Sequence, residues 1–406
     1  MYKRNICIFI FPLLCWGFNA ASATSVKMIY VSYPNDEEIS MPDSSKHTTN
    51  KMDSARIYHA AGIVKNDLKD YPSAIFYFTK AIQLDSTLAL AFLSRAHAKN
   101  KLLDYRGAVK DYDQALKFPL TWEESYEAYF NKGLAQALLK NLQSAMADFS
   151  AAIKINPDYA DAYYNRSIAK GKTGDLKGEL ADISKAIALK PTDSHSYNSR
   201  GIVRSMMGNY REALQDYTQA IQLDNKNSNA YFNRAIIYYE QNEYISSLDD
   251  FTSAIQIKPD ADTYNRRGNV KFRLNNFRGA FEDYTQALKK EPRHYLAYLN
   301  RGQVKFSLKD YKSAIDDFTM AIHLKDDFSI AYYNRGLAKG ILKDFKGEIE
   351  DYTKAIEFKP NYEDAYFKRG VAKYYTNDKQ GGCADLNAAV KQGSNPAYDY
   401  LVKHCR

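Results

Sequence analysis

Apolar and small residues recur along this chain in pairs of helical segments, each pair interrupted by a polar break. The segment from Ala331 to Pro360 is representative, with its break at Lys343 and Asp344. Residues with helical spacing stand on both sides of that break: Tyr332, Gly336 and Ala338 before it, and Ile349, Tyr352, Ala355 and Ile356 after it. The spacing predicts two helices of about 14 residues in each such segment.

The paired segments repeat with a period close to 34 residues. Ten alanines mark the period, at intervals of 33 to 37 residues: Ala81, Ala115, Ala152, Ala186, Ala220, Ala254, Ala287, Ala321, Ala355 and Ala389. Such a period is too long for one helix or strand and is typical of stacked units that bury their apolar faces against one another. We therefore predict one elongated all-α domain, with ten units over residues 55–394.

Each unit also has a small residue four places after its opening aromatic, which lets the second helix pack closely. These residues are Gly62, Ala96, Gly133, Ser167, Gly201, Ala235, Gly268, Gly302, Gly336 and Gly370. Proline stops a helix and fits the first turn of the next one. It closes five units, at Pro157, Pro191, Pro259, Pro292 and Pro360.

The opening aromatic, small residue, alanines, second aromatic and proline together resemble the tetratricopeptide repeat, ten times in register over about 85% of the chain. The resemblance implies a right-handed superhelical solenoid of about ten helix-turn-helix repeats, with the first helices lining a concave groove. Some positions depart from the pattern. Glu179, Ser247, Glu348 and Gly382 replace the alanine that opens the second helix, Ile183 and Leu386 replace its aromatic, and an insertion near Pro119 widens one junction.

The concave groove is where the resemblance places a partner. In the family it is formed by the residue after the opening aromatic and the residue four places further on. The predicted binding residues are Phe130, Tyr164, Ile168, Phe232, Ile236, Leu299, Tyr333, Leu337, Phe367 and Val371. Apolar rows on open faces mark contact sites, and aromatic anchors are frequent hot spots. We predict a protein or peptide partner, with Tyr333 in the groove and Tyr332 in the core; the alternative is that the row packs against itself.

A basic residue precedes the small column in nine units: Arg95, Lys132, Arg166, Arg200, Arg234, Arg267, Arg301, Arg335 and Arg369. The same nine units have an aspartate on the second helix: Asp111, Asp148, Asp182, Asp216, Asp250, Asp283, Asp317, Asp351 and Asp385. The first unit lacks both and has Ala61 and Tyr77 instead. This joint absence predicts a structural salt bridge within each unit.

A second function is suggested by the net charge of +8, which is +6 without Lys3 and Arg4. Lysines stand four residues beyond the basic row in six units: Lys99, Lys170, Lys271, Lys305, Lys339 and Lys373. They motivate an alternative in which the protein binds an anionic polymer, a glycan or nucleic acid. The excess charge is small among 104 charged residues, so a protein partner is preferred over nucleic acid.

The first 23 residues have the features of a secretory signal. Basic Lys3 and Arg4 precede an apolar stretch from Ile6 to Phe18, and the small residues Ala21 and Ala23 end the segment. No other stretch approaches the length that spans a membrane. Export across a bacterial membrane, to the periplasm or beyond, is therefore predicted.

Two further features concern the N-terminal region. Cys15 raises the alternative of a lipid anchor, but Leu14 before it is bulky where lipoprotein processing usually requires a small residue. Residues 24–54 are polar and have no helical period, which predicts a flexible lead-in.

Two cysteines, Cys383 and Cys405, remain after the signal. They stand on either side of the turn at Ser394, so antiparallel helices would bring their sulfurs level. Their pairing in an oxidising compartment would hold a capping helix, residues 395–406, against the last repeat.

The sequence offers no support for an enzyme. Gly171, Lys172 and Thr173 resemble the end of a phosphate loop, but Arg166 stands where that loop needs a further glycine. The seven histidines have no metal-ligand spacing, and no nucleophile elbow is present. No catalytic residue, cofactor or metal site is predicted.

Overall fold

A computed structural model of the chain describes residues 51–405. Within that range it contains 21 helices and no strand, which confirms the predicted all-α solenoid of helix pairs. The first nine helices are α1 Lys51–Asp67, α2 Tyr71–Leu84, α3 Ala89–Lys101, α4 Tyr105–Ala115, α5 Trp122–Leu138, α6 Leu142–Ile155, α7 Ala160–Lys172, α8 Leu176–Leu189 and α9 Ser194–Met206. The remaining helices are α10 Tyr210–Leu223, α11 Ser228–Glu240, α12 Tyr244–Ile257, α13 Ala261–Arg273, α14 Phe277–Lys290, α15 Tyr295–Ser307, α16 Tyr311–Leu324, α17 Ser329–Ile341, α18 Phe345–Phe358, α19 Glu363–Tyr375, α20 Lys379–Lys391 and α21 Asn395–His404.

The described part of the chain divides within α10 into two compact units, one ending at residue 213 and the other beginning at residue 214. The single elongated domain over residues 55–394 stays a prediction. Helices in a repeat array contact mainly the helices next to them in the chain, so no shared core joins all the repeats.

Within each repeat the first helix packs against an aromatic or large aliphatic residue of the second. The ten period-marking alanines are all buried, and so are Phe149 and Phe318. A Cβ atom added at Gly302 would lie 2.7 Å from the Phe318 ring, and one at Gly133 would lie 2.7 Å from Phe149. The small-residue column is therefore required for close packing of the two helices, as the sequence predicts.

The turn inside each repeat has a local design that the sequence pattern did not reveal. In each of the ten turns, one residue takes a left-handed backbone conformation. Two of these ten residues are glycines, Gly174 and Gly208. The other eight are Lys69, Leu103, Lys140, Asn242, Asn275, Lys309, Lys343 and Asn377. An N-cap carboxylate usually follows, as at Asp344, which accepts a hydrogen bond from the Gly347 N–H at 3.0 Å. Such caps fix the start of the second helix.

The start of the array corrects one predicted boundary. Helix α1 begins at Lys51, so residues 51–54 belong to a helix and not to the lead-in. The predicted signal and residues 24–50 lie outside the described residues. The insertion gives α5 17 residues, started by a capping box between Thr121 and Glu124. At the other end, α21 buries Ala397 against Leu386.

Candidate partner-binding face

The predicted salt bridges link the first and second helices of their repeats. Arg335 binds both oxygens of Asp351, through Nε at 2.9 Å and through Nη2 at 2.7 Å. The same two-oxygen pairing is present for Arg95–Asp111, Arg166–Asp182, Arg234–Asp250, Arg267–Asp283, Arg301–Asp317 and Arg369–Asp385. Lys132 contacts only Oδ1 of Asp148, at 3.0 Å. The aspartates are buried, so this basic row belongs to the structure of the repeats and is not a row of free arginines.

Several arginines also reach the preceding repeat, which the sequence analysis missed. The third guanidinium nitrogen, Nη1, of Arg335 donates to the Thr319 hydroxyl at 3.1 Å, and that of Arg369 donates to Thr353 at 3.1 Å. A column of hydroxyl residues on the second helices is the signal that could have revealed it. Thr79 stands two places after Tyr77, and seven hydroxyl residues from Ser150 to Thr353 stand two places after an aspartate, whereas the second unit has Asp113 at this position. Each such arginine therefore joins three helices.

The lysines that suggested an anionic-polymer partner are also engaged. Lys339 Nζ lies 2.9 Å from Asp351 Oδ2, and its side chain is only 19% exposed. The same contact is made by Lys99, Lys170, Lys271, Lys305 and Lys373 with the aspartates of their repeats. Since a helix places residues four apart on one face, these lysines approach the same carboxylate as the arginine. These lysines therefore no longer support the alternative of an anionic-polymer partner.

The predicted groove residues are more buried than the sequence suggests. Phe130 is 4% exposed and Leu299 is 5% exposed, so both belong to the core and do not line an open groove. The other predicted residues are partly buried: Tyr164, Ile168, Phe232, Ile236, Tyr333, Leu337, Phe367 and Val371. The row forms the packed floor of the first-helix face.

Ring contacts show why this row is partly covered. The Tyr333 ring lies 5.7 Å from that of Tyr352 on its own second helix and 5.0 Å from that of Tyr362, which begins the next repeat. Burial raises the pKa of Tyr333 to about 12, and the charge of Asp364 adds to the effect. Tyr332 is also only partly buried, with its ring 5.8 Å from that of Phe358. The prediction that these neighbours divide between groove and core is therefore wrong.

A polar row beside this floor is the feature that the sequence analysis missed. It consists of the residues two places after the opening aromatic: Asn131, Asn165, Ser199, Asn233, Arg266, Asn300, Asn334 and Lys368 in eight successive repeats. Asn300 Nδ2 donates to Asn265 Oδ1 of the preceding repeat at 2.9 Å, and the hydroxyls of Ser199 and Tyr164 lie 3.1 Å apart. The repeated amide column in the sequence is the signal that could have found this row.

Two asparagines of the polar row have unused hydrogen-bonding capacity. Asn165 is 6% exposed, and its Oδ1 has no hydrogen-bond partner within residues 51–405. Asn334 Nδ2 is likewise buried and without a partner in that part of the chain. Buried polar atoms are usually satisfied, so these two amides are sites where an external donor or acceptor would be favourable.

Two repeats have a glutamate where others have a small residue at the start of the second helix. A Cβ atom on Gly171 would collide with the Glu179 carboxylate, and one on Gly340 would collide with that of Glu348. Burial raises the pKa of Glu179 to about 7, and the charge of Asp175 adds to the effect. The Gly171-Lys172-Thr173 segment, which resembles a phosphate loop, ends α7 and in fact accommodates this carboxylate.

The structure brings the predicted cysteine pair together. The sulfur atoms of Cys383 and Cys405 lie within bonding distance of each other, with Cα atoms 5.7 Å apart. Among the described residues, no helix is long and apolar enough to cross a membrane.

Comparison with known proteins assigns the family. The chain is 31% identical over 127 residues to tetratricopeptide repeat protein 36 of Danio rerio, a match that spans 31% of this chain and 68% of that protein. Models described as "Tetratricopeptide repeat" match residues 55–88, 126–159, 265–327 and 330–362, and one described as "TPR repeat" matches residues 206–242. The chain belongs to the tetratricopeptide repeat family. Its repeats indicate a scaffold for protein–protein interactions.

Two further relatives show the extent of the likeness. This tetratricopeptide repeat protein is 35% identical over 88 residues to tetratricopeptide repeat protein 12 of Mus musculus, which covers 22% of this chain and only 12% of the mouse protein. A crystal structure of a tetratricopeptide repeat protein from Parabacteroides merdae aligns with a TM-score of 0.47 at 20% identity, covering 61% of this chain and 99% of that one.

Proposed function

We propose that this tetratricopeptide repeat protein is a non-enzymatic scaffold that binds an extended segment of a partner protein along its first-helix face. The observation that carries the proposal is the pair of unsatisfied amides, Asn165 and Asn334, on a polar row above a floor of aromatic rings. An extended peptide presents N–H and C=O groups that pair with such amides, and its side chains can contact the rings. We place this activity in the exported compartment predicted from the leader, where the Cys383–Cys405 bridge would persist.

The first step of the test uses a peptide display library of random sequence, selected on the purified full-length chain. Asn334→Ala removes an amide whose nitrogen has no partner among residues 51–405, so the melting temperature should stay unchanged. Binding of the selected peptides should fall about fivefold, the equivalent of one lost hydrogen bond.

Two matched variants complete the test. Asn300→Ala breaks an internal bond to Asn265 and should lower the free energy of unfolding by about 1 kcal/mol. Arg278→Ala, on the exposed side of a second helix, should change neither stability nor binding. If no peptide is selected, or if Arg278→Ala weakens binding as much as Asn334→Ala does, the first-helix face is not the binding site.

A further inference from the structure

The fourth and ninth repeats share a set of residues that no other repeat combines. Both read Tyr-Tyr-Asn-Arg, then Ala-Lys-Gly, then Lys-Gly-Glu, ending at Glu179 in one unit and at Glu348 in the other. Eight places after the opening aromatic, only these two repeats have a glycine, Gly171 and Gly340. Only these two repeats also have a glutamate at the start of the second helix. A Cβ atom added at either glycine would collide with the glutamate carboxylate, so the glutamate requires the glycine in the same repeat.

The glycine opens the first-helix face to the carboxylate. Tyr164, Ile168 and Gly171 are spaced so that they lie on one stripe of α7. In four other repeats the place of Gly171 holds an aromatic residue, Tyr239, Phe272, Phe306 or Tyr374, and the Phe272 ring lies 5.3 Å from that of Phe277 at the start of its second helix. Burial raises the pKa of Tyr164, and the charges of Asp193 and Glu179 add to the effect. The Glu179 carboxylate thus acts on the same face as the predicted groove residue Tyr164.

Among the described residues, the Glu179 carboxylate has no counterion. The nearby cations of its repeat, Arg166 and Lys170, are both bound to Asp182, at 2.7 and 2.8 Å. Asp175 is the charged group that affects Glu179 most, and it is an acid. Within residues 51–405, Glu179 makes no ion pair or hydrogen bond through its carboxylate. A partly buried carboxylate in this state gains from any cation that reaches it.

In the ninth repeat, the equivalent glutamate, Glu348, accepts a hydrogen bond from within its own repeat. The Tyr352 hydroxyl donates to Glu348 Oε1 at 3.2 Å, and the charge of Lys368 lowers the Glu348 pKa against the larger effect of burial. The fourth repeat has Ile183 where the ninth has Tyr352, so the internal donor is missing there. Glu348 is therefore a built-in comparison for Glu179.

We propose that Glu179, whose partly buried carboxylate lies against Gly171 on the same face as Tyr164, is a subsite for a lysine or arginine side chain of the segment bound along the first-helix face. This inference rests on the proposed function and adds the chemistry of one partner residue. The cation would replace the missing counterion, and the Tyr164 ring would offer it a further favourable contact.

The experiment uses peptide pools with random flanks and one fixed central residue: arginine, lysine, citrulline or norleucine. Citrulline and norleucine keep the shape of the cationic side chains without the charge. We expect the full-length chain at pH about 8 to bind the arginine and lysine pools about tenfold more tightly than the neutral pools. Glu179→Gln should remove that preference, whereas Glu348→Gln should leave it in place.

Ile183→Tyr gives the fourth repeat the hydroxyl donor of the ninth and should weaken the preference for cations, and circular dichroism checks that each variant is folded. Equal binding of all four pools, or a preference that survives in Glu179→Gln, overturns this inference and leaves the proposed function standing. Failure of every pool to bind overturns both.

Discussion

Arg335 and Lys339 share one buried carboxylate, that of Asp351, with Arg335 Nη2 at 2.7 Å from Oδ1 and Lys339 Nζ at 2.9 Å from Oδ2. One carboxylate is therefore shared by two cations, one from each of two successive turns of α17. Arg335 also reaches Thr319 of the preceding repeat. The cluster joins helices within and between repeats, and this geometry predicts an order of mutational effects that a simple pair would not produce.

Removing the shared acid should cost more than removing either cation. Asp351→Ala leaves two cations facing each other and should lower the free energy of unfolding by about 3 kcal/mol. Arg335→Ala leaves Lys339 to neutralise Asp351 and should cost about 1 to 2 kcal/mol. The double variant, Arg335→Ala with Asp351→Ala, should cost less than the sum of the two single variants, because only Lys339 is then left without a partner, and the repulsion between the two cations is gone.

Denaturant unfolding of the three variants measures this order. Lys354→Ala, which breaks an exposed pair with Glu357, is the control and should cost less than about 0.5 kcal/mol. Strict additivity of Arg335→Ala and Asp351→Ala would contradict the shared cluster.

Tyr333→Ala should destabilise the array, contrary to the behaviour of an open groove residue. Its ring packs between Tyr352 and Tyr362, so truncation should lower the free energy of unfolding by about 2 to 3 kcal/mol. Tyr332→Ala should cost a similar amount, since its ring packs on Phe358. Thermal melting compares the two, and wild-type stability of Tyr333→Ala would restore the open-groove interpretation.

The stability of the first unit should depend on the ionisation of Glu179. Its pKa is raised from 4.5 to about 7 in the folded state, so the folded protein retains this proton to a higher pH than the unfolded chain does. The stabilisation is fully present below about pH 4.5 and is lost as the pH rises through about 7. Glu179→Gln keeps the neutral shape and should be more stable than the wild type at pH 8, by about 1 kcal/mol after allowance for partial exposure.

Thermal melting at about pH 4 and pH 8 measures this difference, with Glu350→Gln on the exposed side of α18 as the control. The Glu179→Gln and wild-type proteins should melt alike at the lower pH. An equal effect at both pH values would show that Glu179 is ionised throughout.

Cys405→Ser should release α21 from the last repeat. A bridge across 22 residues contributes about 3 kcal/mol in the chain-entropy description, so its loss should speed hydrogen exchange in α21. Protein isolated from its native compartment should show no free thiol when denatured, and the variant should show one. Two titratable thiols in the unreduced native protein would exclude the bridge.

The sequence by itself determined the helical repeat and the salt bridges within it. The alanine period specifies the helix pairs because close packing at positions such as Gly302 excludes larger residues. The joint absence of a basic residue and an aspartate from the first unit pointed to the salt bridges, because both partners of each bridge lie in one repeat. These features are local, and a 34-residue period records local contacts directly.

Only the tertiary structure decided how exposed the first-helix face is. Tyr333 follows the opening aromatic in sequence, but its burial depends on Tyr352 of the second helix and on Tyr362 of the next repeat. The division of the array within α10 and the missing counterion of Glu179 likewise depend on which groups meet in space. The exposure of a side chain and the charge around it depend on neighbouring residues from several helices. A pattern along the sequence does not specify which of these residues come together.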